Sequence, residues 1–100
     1  MFTWTEEKNQ LNRKNHGLFL SEIVDVFNDP HLIEFYDKIH STKEEERYVC
    51  LGRWQGFIVL FVAFTEKIDG DIHLITARKA TPKERNIYEE NYRKEVGGNK

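Results

Sequence analysis

The sequence predicts a single α+β domain with two N-terminal helices, a four-stranded antiparallel sheet and a C-terminal helix. Three observations lead to this fold class: a polar helix ends at Gly17, four strand-like segments follow one another in the middle of the chain, and a capping signal at Thr81 begins a last helix. A chain of 100 residues builds one core. We therefore expect one domain over residues 1–96 and a frayed tail over residues 97–100.

Two short helices are predicted near the N-terminus. After an extended segment at Phe2–Trp4, Thr5 can cap a helix whose first turn carries two glutamates, and Gly17 closes that helix. Apolar residues then recur at helical spacing, which predicts a second helix over Leu20–Phe27. The run Asn28-Asp29-Pro30 ends it.

Four strands are predicted next, over Leu32–Tyr36, Tyr48–Trp54, Phe57–Phe64 and Asp71–Arg78. Gln55-Gly56 between the second and third is a hairpin signal. The segment Phe57–Phe64 is apolar on both of its faces, and such a strand belongs at the centre of a sheet that is covered on both sides.

The last helix is predicted from Pro82 to about Val96. Thr81 is a good N-cap, Pro82 suits the first helical position, and Glu84 completes a capping box three residues after the cap. Glu84 thus has a structural explanation without any catalytic role.

Three residues around the start of this helix are candidate ligands for an anion. Arg78 ends a strand next to a helix N-terminus, where backbone amides favour a negative charge, and the sequence shows no structural partner for it. Arg85 and Tyr88 lie three residues apart and are expected on one side of the helix. Both have a structural alternative, because Tyr88 can pack on the sheet and Arg85 can pair with Glu89.

The first helix has an unusual polar face. Its only strongly apolar residue is Leu11, whereas Lys8, Asn12 and His16 recur every four residues and Asn15 lies beside them. This pattern is typical either of a solvated helix anchored by a few apolar residues or of a polar face that lines a cleft.

His40 and Arg47 are further candidate site residues. His40 lies in a polar loop, and Arg47 directly follows that loop. Arg47 follows three glutamates, Glu44–Glu46, and a surface arginine in that position commonly offsets the acidic run. His40 has the alternative of an ordinary exposed histidine. No histidine or cysteine stands at a metal-ligand spacing from it, so we predict no metal site.

The composition restricts the kinds of partner. Charged residues make up 32% of the chain, but the formal net charge is only −2, so any nucleic-acid site has to be a local basic patch. Cys50 is the only cysteine and can form no intramolecular disulfide. With no signal sequence and no apolar run long enough for a membrane span, we expect a cytoplasmic protein.

A set of residues spread over most of the chain belongs to a known pattern: Phe2 with Trp4, Lys8, Asn12, His16-Gly17, Val26-Phe27, Asp29-Pro30, His40-Ser41, Glu46-Arg47, Gly52, Ile75, Ala77-Arg78, Ala80, Glu84-Arg85 and Tyr88. Through these residues the chain resembles the BrnT toxins of bacterial type II toxin-antitoxin systems. Their fold is similar to that of the RelE and ParE toxins, so the resemblance implies a RelE-like single domain.

The resemblance also implies a function. Such a protein is an endoribonuclease that cleaves RNA without metal or cofactor, inhibits translation and arrests growth. A BrnA-type antitoxin neutralises it, with a heterotetramer as the expected complex, and DNA is bound only through that antitoxin. The alternatives are a non-catalytic RelE/ParE-like toxin that binds a protein target, and a corepressor that acts through its antitoxin.

The roles that the resemblance implies fall on the candidates already named. Arg47 and Arg78 are the expected phosphate stabilisers, with Arg85 as a third cation. The proton-transfer candidates are His16, Lys8 and His40, and the further RNA contacts are Tyr88 and Asn12.

Two departures from the family pattern remove positive charge near the expected site. Asn15 stands where a basic residue is usual, and His73 stands where many members have arginine. The loop before Arg47 is also one residue longer. Weaker RNA affinity or lost activity would be the consequence.

We also expect an exposed apolar patch on the free chain. The segment Phe57–Phe64 is apolar on both faces, and only three short helices are predicted to cover the sheet. The antitoxin is the expected cover of this patch.

Overall fold

A five-stranded mixed sheet organises the chain, and a computed structural model describes residues 1–97 of it. The elements in chain order are strand β1 (Phe2–Thr3), helix α1 (Glu6–His16), 3-10 helices over Leu20–Glu22 and Val24–Asn28, strands β2 (Ile33–Tyr36), β3 (Arg47–Trp54), β4 (Ile58–Glu66) and β5 (Ile72–Lys79), and helix α2 (Pro82–Gly97). The strand order is β1-β5-β4-β3-β2. The predicted α+β class and single sheet are therefore confirmed.

The prediction of four antiparallel strands is wrong, because the N-terminus adds a fifth strand. β1 pairs in parallel with β5, with Phe2 opposite Ile72 and Thr3 opposite His73. A strand of two residues carries no periodicity of its own. Its partner lies about 70 residues away in the sequence, so only the folded chain shows the pairing.

The prediction of a second N-terminal α-helix is also wrong, since two short 3-10 helices occupy that segment. The apolar residues Leu20, Ile23 and Val26 are spaced by three, and all are fully buried. Residues three apart eclipse one another in a 3-10 helix. That spacing suits a tight turn better than an α-helix and points all three side chains at one face of the sheet.

The main core lies between this segment and one face of the sheet. Its buried side chains are Leu18, Leu20, Ile23, Val26, Cys50, Trp54, Leu60, Val62, Phe64, Leu74 and Ala77. Gly52 makes the close packing possible, because a Cβ atom there would come within 2.5 Å of Leu32 and 2.9 Å of Val26. Burial raises the pKa of the Cys50 thiol to about 12, so the thiol is protonated at neutral pH.

The other face of the sheet packs against α2 through a smaller cluster of Leu51, Val59, Ala80 and Tyr88. β4 supplies buried residues to both clusters and is the middle strand of the five. The prediction that this segment lies at the centre of a sheet covered on both sides is confirmed.

Two element ends differ from the prediction. Phe57 lies in the turn Gln55–Phe57 rather than in β4, and its side chain is exposed. Gln55 and Gly56 adopt positive φ angles of 56° and 85°, which reverses the chain before Ile58. Gly97 ends α2 instead of beginning a tail, and residues 98–100 of the predicted tail lie outside the described range.

Asp29 links three elements at the α2 side of the fold. Its Oδ2 accepts hydrogen bonds from the backbone N–H of Arg53 on β3 at 2.7 Å and from the Tyr88 hydroxyl on α2 at 2.6 Å. Its Oδ1 accepts from the His31 backbone N–H at 2.9 Å. Burial acts to raise the pKa of Asp29, but these hydrogen bonds outweigh it and leave the pKa lowered.

α2 covers only part of the face of the sheet on which it packs. A groove of about 220 Å³ remains there, and we call it the β2–α2 groove; it is lined by Phe35, Val49, Leu51, Phe61, Glu84 and Ile87. Phe35 and Ile87 are each 41% exposed. An apolar patch of the expected kind thus lies on this face, at the edge strand β2.

α2 has 16 residues. Neither α2 nor any other helix within residues 1–97 combines the length and the apolar character that crossing a membrane requires.

Replacing Tyr88 with Phe tests the Asp29 link. A hydrogen bond to a charged group contributes about 2 kcal/mol, so we expect the free energy of unfolding to fall by about that amount in urea titrations. Burial and the bond to Asp29 raise the pKa of Tyr88 above its ordinary value of 10. The contribution of this hydrogen bond to the free energy of unfolding is therefore fully present below pH 10 and is lost as the pH rises through the pKa of Tyr88 in the folded protein. Tyr88→Phe should not show this dependence on pH.

Tyr36→Phe is the matched control, because Tyr36 is exposed on β2. We expect it to change the unfolding free energy by less than about 0.5 kcal/mol. Equal stability of the Tyr88→Phe variant and the wild type would contradict the structural role of Asp29.

Candidate active site

α1 is attached to the rest of the fold by asparagine amides rather than by an apolar stripe. Thr5 caps it by accepting a hydrogen bond from the Lys8 backbone N–H at 3.2 Å, and Gly17, at φ 76°, closes it. The side chains that α1 buries are Asn9 and Asn12, whereas Leu11 is 51% exposed. Of the two alternatives for this helix, the polar face that lines a cleft agrees with this burial.

The side-chain amide of Asn12 bonds to the backbone of β5 as a neighbouring strand would. Beyond β1 the edge of β5 is open, and there the Asn12 Oδ1 accepts from the Ala77 backbone N–H at 3.1 Å while its Nδ2 donates to the Ala77 carbonyl at 2.9 Å. The same amide accepts from the Thr76 hydroxyl at 2.9 Å and donates to the Leu18 carbonyl at 2.8 Å.

These four hydrogen bonds use both donors and both lone pairs of the Asn12 amide. The side chain is also buried. The structure thus gives Asn12 a structural role and leaves it no polar atom for the RNA contact that the family pattern implies.

The polar face of α1 lines a cleft against β5. The cleft has a volume of about 180 Å³ and is lined by Lys8, Leu11, Asn12, Asn15, His16, Ile75 and Thr76. Lys8 and His16 are its titratable residues. The structure thus brings together two of the predicted proton-transfer candidates, and we call this site the α1–β5 cleft.

A β-bulge shapes the floor of the α1–β5 cleft. Thr76 pairs with Ala63 and Leu74 pairs with Phe64, so Ile75 is an extra residue in β5. Ile75 and Thr76 are the two residues of β5 that line the cleft. Bulges commonly re-aim side chains beside functional sites.

Arg78 lies next to the cleft on the same face of the sheet as Thr76. The two residues are separated by one position on β5, a step of about 7 Å. α1 runs alongside β5, since the charge of Lys8 acts on His73 and Asn12 binds at Ala77. His16, further along α1, therefore lies toward the end of β5 that carries Arg78.

Arg78 has a structural partner that the sequence did not show. Its Nη1 and Nη2 donate to Oε1 and Oε2 of Glu84 at 2.8 and 3.0 Å, and its guanidinium lies 4.0 Å from the centre of the Phe61 ring. The predicted capping box is confirmed, since the Thr81 backbone N–H donates to Glu84 at 2.8 Å and the Glu84 N–H donates to Thr81 at 3.2 Å. The Glu84 carboxylate therefore accepts hydrogen bonds from both Arg78 and Thr81.

The Glu84 carboxylate is ionised at neutral pH. The hydrogen bonds from Arg78 lower its pKa, with a further contribution from the Thr81 backbone N–H, and burial only partly opposes them. The Arg78–Glu84 pair thus carries no net charge in the free protein.

His73 lies at the other end of β5. Burial lowers its pKa, and the charges of Lys67 and Lys8 lower it further, so the imidazole is neutral at pH 7. Its Nδ1 is 2.8 Å from the Thr3 hydroxyl of β1. It therefore does not replace the positive charge of the arginine that is usual in the family pattern.

Arg47 and His40 lie across the sheet from the α1–β5 cleft. Arg47 on β3 is separated from β5 by β4, and its Nε contacts Glu45 at 3.4 Å. His40 pairs with Asp37 at 2.8 Å and is mostly exposed. The structure places these two candidates near each other but not with Lys8, His16 and Arg78.

Arg85 and Tyr88 differ in exposure on α2. Tyr88 is fully buried and its hydroxyl donates to Asp29, so it packs on the sheet and has no exposed surface for stacking on RNA in this conformation. Arg85 is exposed and donates to the Ala80 carbonyl at 3.4 Å. Its expected partner Glu89 instead contacts Arg53 at 3.4 Å.

Sequence reasoning missed Thr76 and Phe61. Thr76 could have been found, because it precedes Arg78 by two positions on a strand and so shares its face. Phe61 offered no such signal, because its contact with Arg78 depends on the register between β4 and β5.

The fold and the site together define a small α+β domain with a polar cleft that is lined by Lys8 and His16 and adjoins Arg78. Residues 4–84 match the family described as ribonuclease toxin, BrnT, of type II toxin-antitoxin system. The chain belongs to this BrnT family.

A solved structure agrees with that assignment. The chain is similar to the Brucella abortus ribonuclease toxin BrnT, whose crystal structure it matches with a TM-score of 0.63 and 26% sequence identity. The match covers 81% of this chain and 97% of that one. A comparison with curated proteins found no match.

Replacing Asn12 and Asn15 separately distinguishes the scaffold from the cleft. Asn12→Ala leaves the Ala77 N–H and carbonyl without partners, and each buried unsatisfied group costs about 1–3 kcal/mol. We expect Asn12→Ala to lower the unfolding free energy by about 3 kcal/mol in urea titrations.

Asn15→Ala is the control within the same cleft, because Asn15 is exposed. We expect it to change stability by less than about 0.5 kcal/mol. If the two variants are equally stable, the amide of Asn12 does not hold α1 to β5.

Proposed function

We propose that this chain is an endoribonuclease toxin that cleaves RNA in the α1–β5 cleft with side chains alone and so inhibits translation. One observation carries the proposal: the titratable residues of the cleft are Lys8 and His16, and the cleft adjoins Arg78 on the same face of the sheet. The family to which the chain belongs is described as ribonuclease toxins, which supports RNA as the substrate.

The chemistry needs three contributions. A base removes the 2′-hydroxyl proton, a cation stabilises the charge that develops on the phosphate, and an acid protonates the leaving oxygen. His16 and Lys8 are the proton-transfer groups in this proposal, and Arg78 stabilises the phosphate. No metal or cofactor enters these steps.

Arg47, His40 and Arg85 act outside the cleft in this proposal. Arg47 and His40 lie on the far side of β4 and contact a flanking part of the RNA, where His40 is the remaining proton-transfer candidate. Arg85 projects from the first turn of α2 and adds a further phosphate contact. Because His73 is neutral, RNA binding depends on these few cations.

Cleavage of a labelled RNA by the purified chain in EDTA tests the proposal. Proton-transfer groups typically contribute 100-fold or more to rate, so we expect His16→Ala to slow cleavage by about 100-fold. Arg78→Ala should also slow it strongly.

Lys14→Ala is the control, because Lys14 lies on α1 but does not line the cleft. It should retain near wild-type activity. Cleavage that EDTA abolishes would contradict a metal-independent mechanism, and equal cleavage by the wild type and the His16 and Arg78 variants would point to a contaminating nuclease.

An antitoxin is the protein partner in this proposal. A toxin of a type II system implies an antitoxin, and we propose a BrnA-type antitoxin that forms a heterotetramer with this chain in the cytoplasm, covers the β2–α2 groove and carries the DNA contact. The apolar lining of the groove supports this, because solvent-exposed apolar patches of this kind commonly mark protein interfaces.

The same groove also favours the second candidate function, a non-catalytic toxin or corepressor that acts by binding protein. Growth arrest on induction with intact RNA and unaffected translation would support that alternative. Arrest that Arg78→Ala relieves would support the ribonuclease.

Phe35→Ser tests the groove as the antitoxin site. Phe35 lines the groove, and burial of such a side chain at an interface contributes about 2–3 kcal/mol. We expect the affinity for the antitoxin from the adjacent gene to fall about 30- to 100-fold in calorimetry.

Ile68→Ser is the matched control, since Ile68 is a fully exposed apolar residue in the turn before β5. It should bind the antitoxin as the wild type does. Unchanged binding by Phe35→Ser would place the antitoxin elsewhere.

A further inference from the structure

The guanidinium of Arg78 is already occupied in the free protein. Its two terminal nitrogens face both oxygens of the Glu84 carboxylate, and Nη1 also contacts the Lys79 carbonyl at 3.3 Å. The same pair of parallel N–H groups is the one that binds two phosphate oxygens. Within residues 1–97, Glu84 therefore holds the position on Arg78 that an RNA phosphate would take.

The pair is partly removed from water, which strengthens the competition. The side chains of Arg78 and Glu84 are 31% and 22% exposed. The guanidinium also lies on the Phe61 ring. A charge-assisted bidentate pair in this setting is stronger than an exposed surface pair. The net binding free energy that a phosphate obtains from Arg78 is therefore reduced by the free energy needed to break the Arg78–Glu84 pair.

We propose that Glu84 limits RNA affinity by occupying the Arg78 guanidinium, and that an RNA phosphodiester binds there by displacing the Glu84 carboxylate. This inference rests on the proposed function. Glu84 is then an internal competitor for substrate, in addition to its place in the capping box.

The capping box and the competition can be separated by substitution. Gln retains the capping interaction at this helical position, so Glu84→Gln removes the negative charge and keeps the cap. Thr81→Ala does the reverse, since it removes the hydroxyl that accepts from the Glu84 backbone N–H and leaves the carboxylate on Arg78. A purely structural role of Glu84 would make Thr81→Ala the more damaging change and leave RNA affinity unaffected by Glu84→Gln.

Equilibrium binding to a fluorescein-labelled, single-stranded 2′-O-methyl oligonucleotide of mixed sequence tests the inference. This probe lacks the 2′-hydroxyl and cannot be cleaved, so binding is measured apart from catalysis. We expect Glu84→Gln to bind about tenfold more tightly than the wild type, the effect of one interaction with a charged group. The slope of log affinity against log salt should steepen by about 0.7.

Two further variants complete the test. Thr81→Ala should lower the melting temperature and keep the wild-type affinity for the oligonucleotide. Arg78→Ala should bind more weakly, and adding Glu84→Gln to Arg78→Ala should give no further tightening, because the competition acts through Arg78.

Three results would overturn the inference. One is equal affinity of Glu84→Gln and wild type, and another is the same tightening in the Arg78→Ala background, which would indicate a general charge effect. In either case the proposed ribonuclease function would remain intact if the wild type still binds and cleaves RNA. Wild-type protein that does not bind the oligonucleotide at all would overturn this inference together with the proposed function.

Discussion

The carboxylate of Asp29 holds the two layers of the fold together. Asp29 directly follows the second 3-10 helix, and its carboxylate accepts hydrogen bonds from the turn at His31, from β3 and from α2, so the segment that closes the main core is joined to the helix that covers the other face. Arg53, whose backbone binds Asp29, places its guanidinium 4.4 Å from the Tyr92 ring and fixes the next turn of α2. The position of α2, and with it Glu84 opposite Arg78, depends on this contact.

The candidate site is built on a second polar contact, between Asn12 and β5. α2 packs on the sheet through an apolar cluster as well as through Asp29, whereas α1 is held to β5 by the hydrogen bonds of Asn12. Such bonds fix the distance and angle of α1 relative to the strand, which keeps Lys8 and His16 facing Thr76. A site that depends on geometry benefits from an attachment of this kind.

The sequence was sufficient for elements that carry their own signals. The apolar runs of β3 and β4, the hairpin signal between them and the capping box of α2 located those elements to within a few residues. β1 was missed because two residues have no pattern, and the 3-10 segment was misassigned because a spacing of three fits two kinds of helix. Asn12 was placed on the correct face, but sequence does not distinguish an amide that binds a strand edge from one that is free. The Arg78–Glu84 pair was missed because capping already explained Glu84.

The extra residue Ile75 in β5 sets which residues face the cleft side of the sheet. His73 and Arg78 are five positions apart, an odd number, so a regular strand would point them to opposite faces. With the bulge, both lie opposite residues of β4 that share one face, Thr65 and Phe61. Regular pairing of the same residues, without the bulge, would place Arg78 opposite Leu60 and turn its guanidinium toward the main core. The bulge, as much as the residue types of this short stretch, therefore determines on which face of the sheet Arg78 lies.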